Sequence, residues 1–318
     1  MSIEVTQAPM AATPVPAHGA DLVTPVVRHR FRGNPWRRPV FLEGFTWLYL
    51  AWSLIPIAIA VVFSFNNGKS VSTWQGFSTR WYWGSHSESV FQNPIFRGAI
   101  QQTVKLGISV TILTLIIGVA FGIGIHRWRS KTSIGFNFVM VFSYVVPELI
   151  FATALFFVFT QLFTGISLGT AAEILGLITW NISWPAIIVM ARLNAIGPSY
   201  EEAAADLGCT RFQAIRRVLL PMLMPAIFAS AVLIFATTID DFVIVDLLSS
   251  NAATQPMSVL IYSSTHGGQS GPQLNALATI MLVMSLVAAT VGLLGYRWIT
   301  RGERGANRED ALTTIAGM

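Results

Sequence analysis

The sequence predicts an all-α fold, a polytopic membrane protein with six transmembrane helices. Three observations support this. The 318 residues are 53% hydrophobic and only 11% charged, with a mean hydropathy of +0.60, too apolar for a soluble surface. Stretches of 18 or more mainly apolar residues recur, each long enough to cross a hydrocarbon layer of roughly 30 Å at about 1.5 Å per residue. The basic residues cluster beside these stretches in the asymmetric way that membrane topology requires.

Residues 1–27 are rich in Ala, Pro, Thr and Val without helical periodicity and read as a mobile tail; the N-terminal cytoplasmic tail is drawn over 1–39. The first apolar segment covers about 41–65. Within it Ala58-Ile59-Ala60 resembles a signal-peptidase site, but the preceding tail is long and the apolar run continues to Phe65, so the segment reads as a retained helix. Further segments fall near 98–125, 135–163, 168–191, 223–248 and 275–298. The fourth is interrupted by Glu173, Asn181 and Pro185, which a membrane helix tolerates when neighbours satisfy the freed carbonyl. This gives a transmembrane domain over 40–300 and a C-terminal cytoplasmic tail over 301–318.

With the N-terminus inside, sixteen of the 20 Lys and Arg residues fall on the cytoplasmic side, leaving only Lys69, Arg80, Arg97 and Lys105 outside. Both termini are therefore expected in the cytoplasm. The net charge of +5 is explained by this topology and does not point to nucleic acid. The single cysteine, Cys209, excludes an intrachain disulfide framework and a Cys-based metal site.

The segment 201–226 is too polar to span. Helix formers run from Tyr200 to Leu207, Gly208 suits the left-handed end of a helix, and Thr210 suits the cap of a second helix continuing through Leu219. The prediction is a hairpin of two short helices over about 198–220. Ala203, Ala204 and Ala205 give its first helix a face with little bulk, suited to close docking; from pattern alone an ordinary cytoplasmic hairpin fits as well.

Glu202-Ala203-Ala204, Gly208, Val218 and Leu220-Pro221 resemble the signature of bacterial ABC importer permeases: E-A-A, three residues, G, nine residues, I, one residue, L-P. Val218 replaces the usual Ile, a nearly volume-conserving change. The resemblance covers roughly 40–300 and implies a type I ABC importer permease fold, with the hairpin fitting a groove of an ATPase subunit and Glu202 facing that partner. It further implies a second homologous permease, two ATPase subunits and a periplasmic solute-binding protein. The stretches 257–264 and 275–282, and Asp240-Asp241 followed by Phe242-Val243-Ile244-Val245, are similar to the spermidine/putrescine branch, which implies a polyamine cargo and alternating access. No cofactor is expected on this chain, and ATP would be used by the partner. Gly68-Lys69-Ser70 resembles the end of a phosphate-binding loop, yet Phe63 stands where its first glycine is needed. A secondary transporter or cation channel without an ATPase would explain the acids described next but not the hairpin.

A carboxylate at the centre of a membrane helix costs about 2.5–3.5 kcal/mol on insertion scales, so acids there need a reason. Glu148 follows Pro147 in the third segment, Asp240 and Asp241 lie in the fifth, and Asp246 is near the fifth's outer end. Successive helical residues project about 100° apart, so Asp240 and Asp241 cannot share one cavity unless the helix is distorted. Glu148 with Asp240 or Asp241 reads either as a cation path or as structural pairing. Trp180, Trp184 and Tyr144 read as a cation-π wall or as core packing. In the long outer loop, Trp74, Trp81, Tyr82 and Trp83 are interfacial anchors or partner contacts, and His266 with Gly267, Gly268 and Gly271 forms an outer turn. Gly118, Gly122 and Gly124 are spaced for close helix packing.

Overall fold

Apolar segments without an aqueous neighbour fold as helices, which satisfy every backbone group within the segment. The computed structural model describes residues 40–127, 131–251, 254–268 and 271–316. The tail predicted over 1–39 lies outside the described residues, as do the side chains of Tyr144 and of 298–316.

In chain order the helices are α1 (Val40–Phe63), α2 (Arg80–Trp83), α3 (Pro94–Arg127), α4 (Lys131–Val145), α5 (Glu148–Phe157), α6 (Thr170–Asn181), α7 (Ser183–Ile196), α8 (Ser199–Asp206), α9 (Arg211–Ala214), α10 (Leu220–Asp240), α11 (Val243–Leu248), α12 (Met257–His266) and α13 (Pro272–Ala316). Wider π-type turns extend α5 over Val158–Leu162 and join α9 to α10 over Ile215–Leu219. Among the described residues five helical stretches are long and apolar enough to cross a bilayer: Val40–Phe63, Pro94–Arg127, Thr170–Ile196, Arg211–Asp240 and Pro272–Arg297. The chain divides into two units after Ser53. In the first, residues 40–53 are the opening turns of α1 and are all exposed.

The second unit is built around α3, which packs on α10, α7 and α6. Close approach depends on glycine. A Cβ on Gly118 would stand 2.3 Å from Pro185 Cγ, and one on Gly122 would stand 2.8 Å from the Ala186 carbonyl oxygen, so the expected small-residue seam meets α7. Gly124 faces open space and is not part of it.

The third predicted segment is broken. Proline disfavours the α conformation in the residue before it, and α4 ends at Val145 ahead of Val146 and an extended Pro147 (φ −58°, ψ 131°). The fourth holds together as α6 and α7, and its Glu173 is completely buried in the first turn of α6. Gln102 Nε2 donates to Glu173 Oε2 at 2.6 Å and to Thr170 Oγ1 at 2.9 Å. The second helix of the hairpin does not stop at Leu219: Leu220 N–H bonds the Ile215 carbonyl and the helix runs on into α10.

The loop between α1 and α3 shares a second apolar core with α3, α12 and α13. Trp81 and Tyr82 are buried; Trp81 Nε1 donates to the Asn66 carbonyl at 2.6 Å, and Tyr82 shares a 2.9 Å hydrogen bond with Ser64. These two aromatics are packing residues, whereas Trp74 and Trp83 are exposed. Lys69 and Arg80 both pair with Glu88, at 2.6 and 2.7 Å, and hold its carboxyl below the ordinary carboxylate pKa.

The α3–α7 seam gives a direct expectation. Gly122→Ala should destabilise the protein by about 1–3 kcal/mol through overpacking, lowering its thermal midpoint in detergent, while Gly124→Ala should leave the midpoint unchanged.

Candidate functional site

The hairpin forms as its residues dictate. α8 ends where Gly208 takes φ +79°, a conformation costly for any residue with a Cβ. Thr210 then caps α9 in a reciprocal box: its Oγ1 accepts from Gln213 N–H at 3.4 Å, and Gln213 Oε1 accepts from Thr210 N–H at 2.9 Å. Of the residues marked by sequence, Ala204 is buried, Val218 is half-buried, and Glu202, Ala203, Gly208, Leu220 and Pro221 are exposed. Sequence reasoning missed the two largest apolar projections, Leu207 at 86% exposure and Phe212 at 71%. Their signal was an apolar side chain on each side of the Gly208 turn. His126 bonds Asn194 of α7 at 3.0 Å, and Arg127, at the end of α3, forms an ion pair with Glu201 in the first turn of α8. The hairpin is thereby tied to the central helix.

The acids separate at a helix break. α10 ends at Asp240, and Asp241 is extended (φ −60°, ψ 126°). The distortion that adjacent aspartates would need to project together is present, but it sends them apart. Asp241 is buried at 8% exposure while Asp240 is exposed. Asp241 Oδ1 accepts from Ile244 N–H at 3.1 Å, capping α11, and its carbonyl accepts from Ser258 Oγ at 2.7 Å. Its carboxyl also meets that of Glu148, the first residue of α5. Each acid sits at a helix N-terminus, where the backbone N–H groups favour negative charge.

A cavity of about 1020 Å³ opens beside this break, and Asp240 lines it together with Phe242, Tyr262 and His266. Asp241, Glu148, Trp180 and Trp184 do not line it. Trp180 instead packs on Phe151, ring centres 5.1 Å apart, against the main apolar core, and Trp184 is half-buried. The Tyr144 side chain lies outside the described residues. Asp246 is exposed. Among the described residues no group of three or more His, Cys, Asp or Glu side chains is arranged to hold a metal ion.

Residues 114–305 match the model of the binding-protein-dependent transport system inner membrane component family. The chain belongs to that family. It is 31% identical over 290 residues to the putrescine transport system permease protein PotI of Escherichia coli K12, covering 90% of this chain and 96% of PotI. It is 33% identical over 265 residues to the spermidine/putrescine transport system permease protein PotC of the same strain, covering 82% and 96%. The fold is shared with a crystallised bacterial ABC transporter involved in the import of the acidic polysaccharide alginate, with a TM-score of 0.61 at 19% identity over 83% of this chain and 96% of that one. The MetNI methionine ABC transporter gives 0.58 at 19% identity over 65% and 96%.

As a binding-protein-dependent permease, the chain is a multi-pass inner-membrane component and not the ATPase. Membership implies an ATPase and a binding protein as partners. The hairpin of this permease should loosen when its tie to α3 is cut. Arg127→Gln should raise amide hydrogen exchange in α8 by about 1.4- to five-fold, the range of a surface ion pair worth about 0.2–1 kcal/mol, and leave exchange in α6 unchanged.

Proposed function

We propose that this permease is one half of an ATP-driven polyamine importer. The single observation that carries the coupling role is the hairpin's free face: Glu202, Leu207 and Phe212 project from two short helices fixed by a positive-φ glycine and a capping box. A partner groove gains apolar contact from Leu207 and Phe212, and Ala203 lets it approach closely. In this reading an ATPase docks on each hairpin of a pair of homologous permeases. The binding protein delivers cargo to the opposite face, and the cavity alternates between the two sides.

The chain crosses six times, with α4 and α5 together forming the third crossing on either side of Pro147, and both termini are cytoplasmic. The charge asymmetry supports this orientation, because it leaves four basic residues outside. Polyamine cargo is supported by near full-length similarity to permeases named for putrescine and spermidine and by acidic groups at the helix breaks.

Reconstitution with the ATPase, the second permease and the binding protein should give ATP-dependent uptake of labelled putrescine or spermidine. The double variant Glu202→Ala, Gly208→Leu should insert normally and lose about ten-fold or more of the binding-protein-stimulated ATP hydrolysis, within the usual range of site-to-site coupling. Amine uptake by the chain alone, or normal stimulation in the double variant, would overturn the proposal.

A further inference from the structure

The hairpin divides its charges between its two legs. α8 carries Glu201, Glu202 and Asp206 and no base, whereas the second leg, residues 211–219, carries Arg211, Arg216 and Arg217 and no acid. Glu201 is paired with Arg127. The three arginines of the second leg are exposed and form no ion pair among the described residues, although α8 packs on the wide turn that holds two of them.

That turn, Ile215–Leu219, runs without interruption into α10. The twenty residues of α10 before Asp240 include no charged side chain and rise about 30 Å, the thickness of a hydrocarbon layer. The edge of the layer on the hairpin side therefore falls at Leu220. Arg192 of α7 marks nearly the same level, its Nε donating to the Met222 carbonyl at 3.4 Å. Arg217 and Arg216 stand three and four residues beyond that edge, about 4.5–6 Å, within a headgroup layer about 5–7 Å deep. Arg211, nine residues out, is about 13 Å from the edge and beyond that layer.

Leu220, Pro221 and Met224 are exposed on the first turns of α10. Arg216 is four residues before Leu220 and Arg217 four before Pro221, so each guanidinium stands over exposed apolar surface one turn on. A phospholipid has the same order of parts. Its acyl chain covers Leu220 and Met224, and its phosphate oxygens accept from the planar fork of a guanidinium. A zwitterionic headgroup also brings an ammonium toward two arginines; phosphatidylglycerol brings only negative charge. A soluble anion would leave the apolar surface uncovered.

We infer that Arg216 and Arg217, with the exposed surface of Leu220, Pro221 and Met224, form a binding site for an anionic phospholipid. The headgroup clamps the wide turn from which the hairpin hangs. Placing the lipid in the cytoplasmic leaflet rests on the orientation proposed above; the site itself does not.

The full-length chain, titrated in detergent with phosphatidylglycerol or with phosphatidylcholine of the same acyl chains and read by native mass spectrometry, should bind phosphatidylglycerol about five-fold or more tightly. The double variant Arg216→Gln, Arg217→Gln should weaken that binding by about 25-fold, near five-fold for each arginine, with an unchanged thermal midpoint. Arg211→Gln should bind as the wild type does. The double variant Arg216→Lys, Arg217→Lys keeps both charges and should stay within about five-fold of the wild type. Glycerol phosphate should not displace the lipid. Equal affinity for the two lipids, unchanged binding in the glutamine variant, or displacement by glycerol phosphate would overturn the site. So would loss of ATPase binding by the glutamine variant in nanodiscs of phosphatidylcholine alone, because the arginines would then belong to the ATPase interface. Orientation is read separately: an impermeant maleimide that labels Cys209 from outside intact cells would overturn the cytoplasmic placement and leave the lipid result standing.

Discussion

A helix that stops inside an apolar bundle leaves backbone N–H and C=O groups that lipid cannot satisfy, and the second unit is arranged around such a stop at Asp241. The Asp241 carboxyl accepts from Ile244 N–H and its carbonyl accepts from Ser258, while Thr103 on α3 accepts from Met257 N–H at 2.9 Å at the start of α12. These bonds turn α11 against α5 and α6, where a Cβ on Gly176 would stand 2.5 Å from Leu248 Cδ1. The apolar core around Ile234, Ile244, Val245 and Leu248 closes over the break. Because the chain changes direction after Asp240, two neighbouring acids occupy different surroundings. Asp241 is spent on the backbone, and Asp240 is left on a cavity wall.

This division ties the proposed coupling hairpin to the cavity through one element. The helical stretch Arg211–Asp240 has 30 residues, about 45 Å at the α-helical rise, with the hairpin at one end and the cavity acid at the other. The tie between Arg127 and Glu201 sets the hairpin against α3, and α3 packs on α10 along its length. In the proposed mechanism a push on Leu207 and Phe212 therefore reaches the cavity through packed helices. The wider turn at Ile215–Leu219 lies just after the hairpin, where the direction of that push is set.

Much of this was legible in the sequence because it depends on local chemistry. Gly208 and Thr210 announced the hairpin turn, since only certain residues adopt or cap those conformations, and Gly118 and Gly122 announced the α3–α7 seam. The identity of the seam's partner was not legible, and neither was the exclusion of Gly124, because both depend on which face of α3 turns inward. Pro147 carried a break signal that a 29-residue apolar run concealed. The fates of Asp240 and Asp241 were legible only as a conflict: one helix could not point both into a cavity, and the sequence did not say that the helix would end between them. Trp180 read either as a ligand wall or as core packing and Trp81 as an interfacial anchor or partner contact; both pack in the core, since a tryptophan's burial is set by elements distant in sequence.

The break gives Asp241 to the fold and Asp240 to the cavity. The most direct test is the thermal midpoint of Asp241→Ala against that of Asp240→Ala in the same detergent. Loss of the α11 cap and its buried partner should destabilise Asp241→Ala by about 0.5–2 kcal/mol and lower its midpoint accordingly, while Asp240→Ala should melt with the wild type. Equal loss in both variants, or loss in Asp240→Ala alone, would contradict the assignment.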